Sequence, residues 1–165
     1  MKLLFREPGK LVLRFSKREY ETLLTILRLR PLFPRRSRPI ASDGDGGADE
    51  QLRTAQADLD AALAEHRDEQ IPALEALLAD PERCLLQPGD GWQLTLNDPD
   101  AEMLLQALNE IRFGAWEKLG RPGGDTGEGG QPAELTQENF LALWAFQVGG
   151  SLQGALLEAM TGEDE

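Results

Sequence analysis

The sequence predicts an α+β fold, mainly α, with about four main helices packed with a small antiparallel sheet of two or three strands. Three observations predict it. Leucines recur at helical spacing in several long segments. Short strand-like runs near the N-terminus and around residue 92 are bounded by Pro-Gly or Gly-Asp turns. The single Cys and single His among 165 residues leave no disulfide framework or cysteine-based zinc site to organise the chain.

Leu3 to Arg6 and Leu11 to Phe15 flank Glu7-Pro8-Gly9-Lys10, where Pro presets φ and Gly supplies a positive φ, so a β-hairpin is expected. Ser16 and Glu19 then form a capping box, with Phe15 and Tyr20 placed as a hydrophobic staple. Tyr20, Leu23, Leu24 and Leu27 lie on one face of a first helix, which Pro31 should stop. A mobile loop is expected from about 32 to 49, where Pro and Gly are frequent and no apolar period is present. From Glu50, the residues Leu52, Gln56, Leu59, Leu63, His66 and Gln70 alternate at four and three positions, the narrow seam of a second helix. Pro72 should kink or restart it, because proline removes a ladder donor and clashes with the preceding turn; Leu74, Leu77 and Leu78 continue the apolar face.

Trp92 to Leu96 alternates cleanly and predicts a third strand; the run Cys84 to Gln87 carries a weaker signal. Asn97 or Asp98 caps a third helix, Pro99 fits its first turn, and Leu104, Leu108, Ile111, Ala115 and Leu119 form its stripe up to Gly120. A Gly-rich linker is expected from about 120 to 134. Thr136 caps a last helix running to about Met160, before an acidic tail at 162–165. One domain spanning 1–165 accounts for all of this.

The net charge is −12, yet eleven of the seventeen Lys and Arg fall in the first 39 positions, beside only three acids. Either the basic and acidic parts fold against each other or the basic part meets an external anion. Arg28, Arg30, Arg35, Arg36 and Arg38 are the sharpest cluster. They can bind an anion or a partner's acidic segment, since guanidinium pairs bidentately with carboxylate and phosphate, or they can neutralise the chain's own acidic helix around Asp58, Asp60, Asp68 and Glu69. An acidic chain makes nucleic acid an unlikely partner.

Other candidate chemistry is sparse. The calcium-loop pattern fails on Asp43-Gly44-Asp45, because the positions that need Gly and Glu hold Ala48 and Thr54. His66 beside Glu65 and Glu69 is the only pairing of an imidazole with carboxylates on one helix, and it is expected as a packed, hydrogen-bonded imidazole rather than a metal ligand. Cys84 reads as an inert core thiol. No catalytic residue, metal site or cofactor is indicated. Asn109, Arg112 and Trp116 share a flank of the third helix and suit cross-linking between helices, with Trp116 covering the Arg112 guanidinium. Phe140 through Leu157 contains no charge and includes Trp144 and a Gly150-x-x-x-Gly154 spacing. The glycines suit close helix packing, within the chain or between two subunits. Gln147, Ser151 and Gln153, and the absence of Lys or Arg after Arg121, argue against a membrane span.

The order of several segments resembles an uncharacterised bacterial family, domain of unknown function 2017. They are a first helix leading into Arg-Pro-Leu-Phe-Pro at 30 to 34, an acidic loop and Leu-rich helix, Ala-Leu-Asn-Glu-Ile-Arg at 107 to 112, and Phe-Leu-Ala-Leu-Trp-Ala-Phe-Gln at 140 to 147. In some bacteria the genes of that family neighbour that of the adaptor for the Clp protease. The resemblance implies an accessory role in protein turnover and transfers no catalytic residue. The expected protein is cytoplasmic and non-enzymatic, and it binds a protein partner or itself as a homodimer. The alternatives are anion or nucleic-acid binding through Arg28 to Arg38, and a metal-dependent enzyme around His66.

Overall fold

The computed structural model describes residues 1–32, 46–89, 91–121 and 136–162. Strands β1 (Lys2–Glu7) and β2 (Lys10–Ser16) form the N-terminal hairpin, and helix α1 (Lys17–Arg28) follows without a loop. A single 3-10 turn at Arg30–Leu32 ends this first unit; helix α2 (Gly46–Ala79) comes next. Strands β3 (Cys84–Gln87) and β4 (Gly91–Leu96) precede helices α3 (Asp98–Lys118) and α4 (Phe140–Thr161). The fold is α+β and mainly α.

The sheet is antiparallel in the order β1-β2-β4-β3, so a fourth strand joins the two or three expected from sequence. Cys84–Gln87 is that strand. It lies at an edge with Leu85 and Leu86 exposed, so burial imposes no alternation on it; its place comes from hairpin pairing with β4 across a turn in which Gly89 has φ +88°. At the other edge β1 carries an irregularity between Leu3 and Phe5, a bulge that disfavours pairing with a further strand. Gly9 sits at φ +77°, as the Pro-Gly turn requires.

Leu11 pairs with Leu96, Leu13 with Leu94 and Phe15 with Trp92, which sets these side chains on one face of the sheet. Helices α1, α3 and α4 cover that face. Leu13, Ile26, Leu94 and Ile111 are completely shielded at the join. The capping box holds: the Ser16 hydroxyl accepts from the Glu19 amide, and the Glu19 carboxylate accepts from the Ser16 amide at 2.7 Å. Glu19 also meets the amino terminus, and these donors hold its carboxyl below the usual carboxylate range. A second capping box joins Asn97 and Asp100 at the start of α3, and Arg83 from the β3 side pairs with the same Asp100. Arg121, just past α3, has φ +58°, and Gly120 before it has φ +79°, the left-handed stop that the Gly predicts.

Three expectations need correction. Helix α2 begins at Gly46, inside the segment read as a loop, while 33–45 lies outside the described residues, as do most of the linker at 122–135 and the tail at 163–165. Pro72 does not restart the helix, which is continuous from Gly46 to Ala79 with the proline at an exposed position. Helix α4 starts at Phe140, not directly after Thr136. The Thr136 hydroxyl instead accepts from the Asn139 amide, and Asn139 Oδ1 accepts from the Thr136 amide at 2.8 Å, which makes a turn before the helix.

From Glu50 to Glu69 no described side chain of α2 is buried, whereas Gln70, Leu74 and Leu77 are. Among the described residues the helix is therefore buried through its last turns. Replacing Ile26 by Ala should lower stability by about 3 kcal/mol through a cavity at the sheet–helix join, whereas Leu59→Ala on the undocked part of α2 should change it by less than about 0.5 kcal/mol. Urea denaturation of the two variants checks the contrast.

Candidate functional site

The backbone turns sharply after α1, where Leu32 donates to the Leu29 carbonyl, and this carries Arg30 inward rather than into solvent. Arg30 is 7% exposed. Its Nε donates to Glu110 Oε2 on α3 at 2.8 Å, its Nη2 approaches the same oxygen at 2.7 Å, and Nη2 also donates to Gln70 Oε1 on α2 at 3.0 Å. The Gln70 amide then donates to Gln106 Oε1 at 2.7 Å and lies 2.9 Å from His66 Nε2. With its oxygen held by Arg30, Gln70 turns its amide nitrogen toward the His66 ring. One polar chain thus joins α1, α2 and α3.

This arrangement divides the arginine cluster. Arg30 is consumed by an internal ion pair with Glu110, not by the acids at Asp58, Asp60, Asp68 and Glu69. Arg28 is exposed at the end of α1, and Arg35, Arg36 and Arg38 lie outside the described residues. His66 is hydrogen-bonded but exposed, which corrects its placement as a packed imidazole: the seam on which it lies extends beyond the docked end of α2. Among the described residues no group of three His, Cys, Asp or Glu side chains converges to hold a metal ion.

Beside Arg30, α1 and the C-terminal part of α2 enclose a cleft of about 440 Å³ lined by Tyr20, Leu24, Leu27, Arg28, Arg30, Ile71, Leu74, Glu75, Leu78 and Ala79. Tyr20 closes it from the core side. The Tyr20 ring stacks on Trp92 with centroids 4.4 Å apart, its hydroxyl donates to the Leu78 carbonyl at 3.4 Å and the Cys84 thiol donates to it at 3.0 Å. Burial, aided by Cys84, raises the Tyr20 phenol well above its ordinary value, and burial also raises the Cys84 thiol. Both stay protonated at neutral pH, so neither is an activated nucleophile.

The α3–α4 contact holds most of the other residues singled out from sequence. Asn109 Oδ1 accepts from Gln153 Nε2 at 3.4 Å. Arg112 lays its stem against Gly149 and Gly150: a Cβ added at Gly149 would stand 3.6 Å from Arg112 Cβ and 3.5 Å from Ile26 Cδ1, and one added at Gly150 would stand 3.6 Å from Arg112 Cδ. Nothing lies within 4 Å of the corresponding position at Gly154, which is exposed. Trp116 is buried against Phe113, with ring centroids 5.2 Å apart. Its face is covered by Arg121 at 5.6 Å rather than by Arg112, because Arg112 turns toward α4. Trp144 is partly buried against the core.

Sequence reasoning missed Gln70 and Glu110 as partners of Arg30, and Gln106 as the acceptor for Gln70. The available signal was Arg30 placed directly before Pro31, where the chain must leave the helix and a long side chain can turn back across its end. Comparison of the chain with protein-family models, with curated proteins and with solved structures found no match.

The buried pair makes a double-mutant prediction. Arg30→Met alone should cost about 3 kcal/mol, because Glu110 loses its counter-charge, and adding Glu110→Leu should recover a substantial part of that loss. Strictly additive urea-denaturation energies would show that the two side chains are uncoupled. Cys84 should react with a thiol reagent at neutral pH only as fast as the protein unfolds, and immediate labelling of the native protein would contradict its shielding.

Proposed function

We propose that this protein is a non-enzymatic interaction module of the cytoplasm that pairs with a second copy of itself through the outer face of α4 and serves as an accessory to protein turnover. The observation that carries the reading is the mismatch between composition and burial in α4. This helix has no charged residue from Phe140 through Leu157, yet only 22% of its most apolar 18-residue window is buried.

The inner face is committed to the rest of the chain by Ala142, Ala145, Gly149, Leu156 and Ala159. The outer face presents Phe140 at 54% exposure, with Gln147, Ser151, Gly154 and Glu158 along it and Leu157 at its margin, while Leu141 is exposed at the start of the helix. Glycine within a helix costs about 1 kcal/mol relative to alanine. Gly149 has a use inside the chain, as the seat of Ile26 and Arg112, whereas Gly154 meets nothing among the described residues, and a close-packed second helix supplies a contact.

By length and composition α4 is also the one described helix fit to cross a bilayer. Its contacts favour the interaction reading. The helix is packed along α3, which carries Glu102, Glu110, Arg112 and Glu117, and it also touches α1 and β1. It cannot enter hydrocarbon without leaving those partners or taking their charges along.

The turnover role rests on the resemblance to domain of unknown function 2017. Two of the segments that carry the resemblance supply Arg30 and Glu110, the partners of the buried ion pair.

Sedimentation at micromolar concentration should give the mass of two chains. Leu157→Glu and Gly154→Arg should each shift the protein to one chain, while the helical circular dichroism stays unchanged. A monomeric wild-type protein would remove the pairing half of the proposal.

A further inference from the structure

The cleft between α1 and α2 combines aliphatic walls with one unmatched hydrogen-bond donor. Leu24 and Leu27 from α1 face Ile71 and Leu78 from α2 across it. Arg30 lines the same cleft, and the Nε and Nη2 edge of its guanidinium is already taken by Glu110 and Gln70. Nη1 is left on the opposite edge, buried and without an acceptor among the described residues. A buried unsatisfied donor costs about 1–3 kcal/mol, so an acceptor brought into the cleft recovers free energy that the free protein lacks.

The charges select what kind of acceptor fits. Glu110 already neutralises Arg30, and the remaining cation and acid on the lining, Arg28 and Glu75, offset one another. Among the described lining residues no surplus positive charge remains for an anion, and a carboxylate placed on Nη1 would put a second acid on a guanidinium that already serves Glu110. What the cleft lacks is a neutral acceptor joined to an aliphatic group. A peptide unit of an apolar sequence is that combination, since each residue brings a backbone carbonyl together with its side chain. The volume lies within the range of pockets that enclose small ligands.

We propose that this cleft binds an apolar peptide segment of a partner protein, with an aliphatic side chain between Leu27 and Ile71 and a backbone carbonyl accepting from Arg30 Nη1. The occupant rests on the interaction reading above, while the cleft itself is separate from the α4 face. Because Nη1 is screened from water in the free protein, the carbonyl reaches it as the cleft side chains turn aside.

The test uses the full chain and the blocked peptide Ac-Leu-Leu-NH2 as probe, followed by methyl NMR. The methyls of Leu24, Leu27, Ile71 and Leu78 should shift saturably while that of Leu156, buried elsewhere in the core, stays in place. Sodium octanoate should bind about tenfold more weakly than the peptide, and Leu27→Glu should weaken the peptide about tenfold, with the mass by sedimentation unchanged. Arg30→Lys, which keeps a charge for Glu110 but lacks Nη1, should weaken the peptide by a similar factor; if that variant does not fold, the octanoate comparison and Leu27→Glu decide. Absence of saturable shifts at these methyls, octanoate binding as tightly as the peptide, or no effect of Leu27→Glu overturns the proposal. Shifts at the same methyls on raising protein concentration alone would place a second copy of the chain in the cleft and overturn it as well. A monomeric protein that still binds the peptide leaves this inference standing while the α4 pairing fails.

Discussion

Arg30 carries a charge that its own chemistry does not allow it to lose, since guanidinium stays protonated at any pH a protein folds at. Burying it at 7% exposure requires a counter-charge and acceptors in fixed places, and Glu110 and Gln70 supply them from two other helices. The end of α1, the middle of α3 and the docked end of α2 are consequently set relative to one another by a directional interaction, in a region where leucine packing alone would tolerate sliding. The last turns of α2 depend most on it. Leu74 and Leu77 are buried beside it, while on the N-terminal side of Gln70 the helix has no described buried side chain.

The same interaction defines the cleft beside it. Arg30 is drawn inward by Glu110, α2 is held at Gln70, and the space between Leu24 and Ile71 follows from where those two attachments place the helices. Tyr20 stops the cleft from collapsing into the core, because its ring is fixed by stacking on Trp92 and its hydroxyl by Leu78 and Cys84. The elevated phenol and thiol at this point reflect shielding from water, and both are structural groups.

A second division of labour runs along α4. Its small residues Ala142, Ala145, Gly149 and Ala159 permit a close approach to α3, and the Arg112 stem occupies the room that Gly149 and Gly150 leave. The opposite side keeps Phe140, Leu141 and Leu157 in water. A helix without charge from Phe140 through Leu157 but covered on one side only is the feature from which the pairing proposal grows.

Local signals in the sequence determined the hairpin at Pro8-Gly9, the capping box at Ser16, a cap at Asn97 or Asp98, the end of α1 before Pro31 and the left-handed stop at Gly120. Each depends on a few neighbouring residues and on the conformations those residues permit. The helical stripe Leu104, Leu108, Ile111 and Ala115 was legible for a related reason, since one-sided burial imposes a period on the chain. What the tertiary structure alone decided has no such local mark. The strand at Cys84 exists through its pairing with β4, α2 continues through Pro72 to its docked end, and Arg30 finds Glu110 across 80 positions of chain. An arginine beside a proline can point out to an anion or in to a carboxylate with the same local backbone. Which of the two occurs depends on where distant helices place their acids, and that is settled only when they pack.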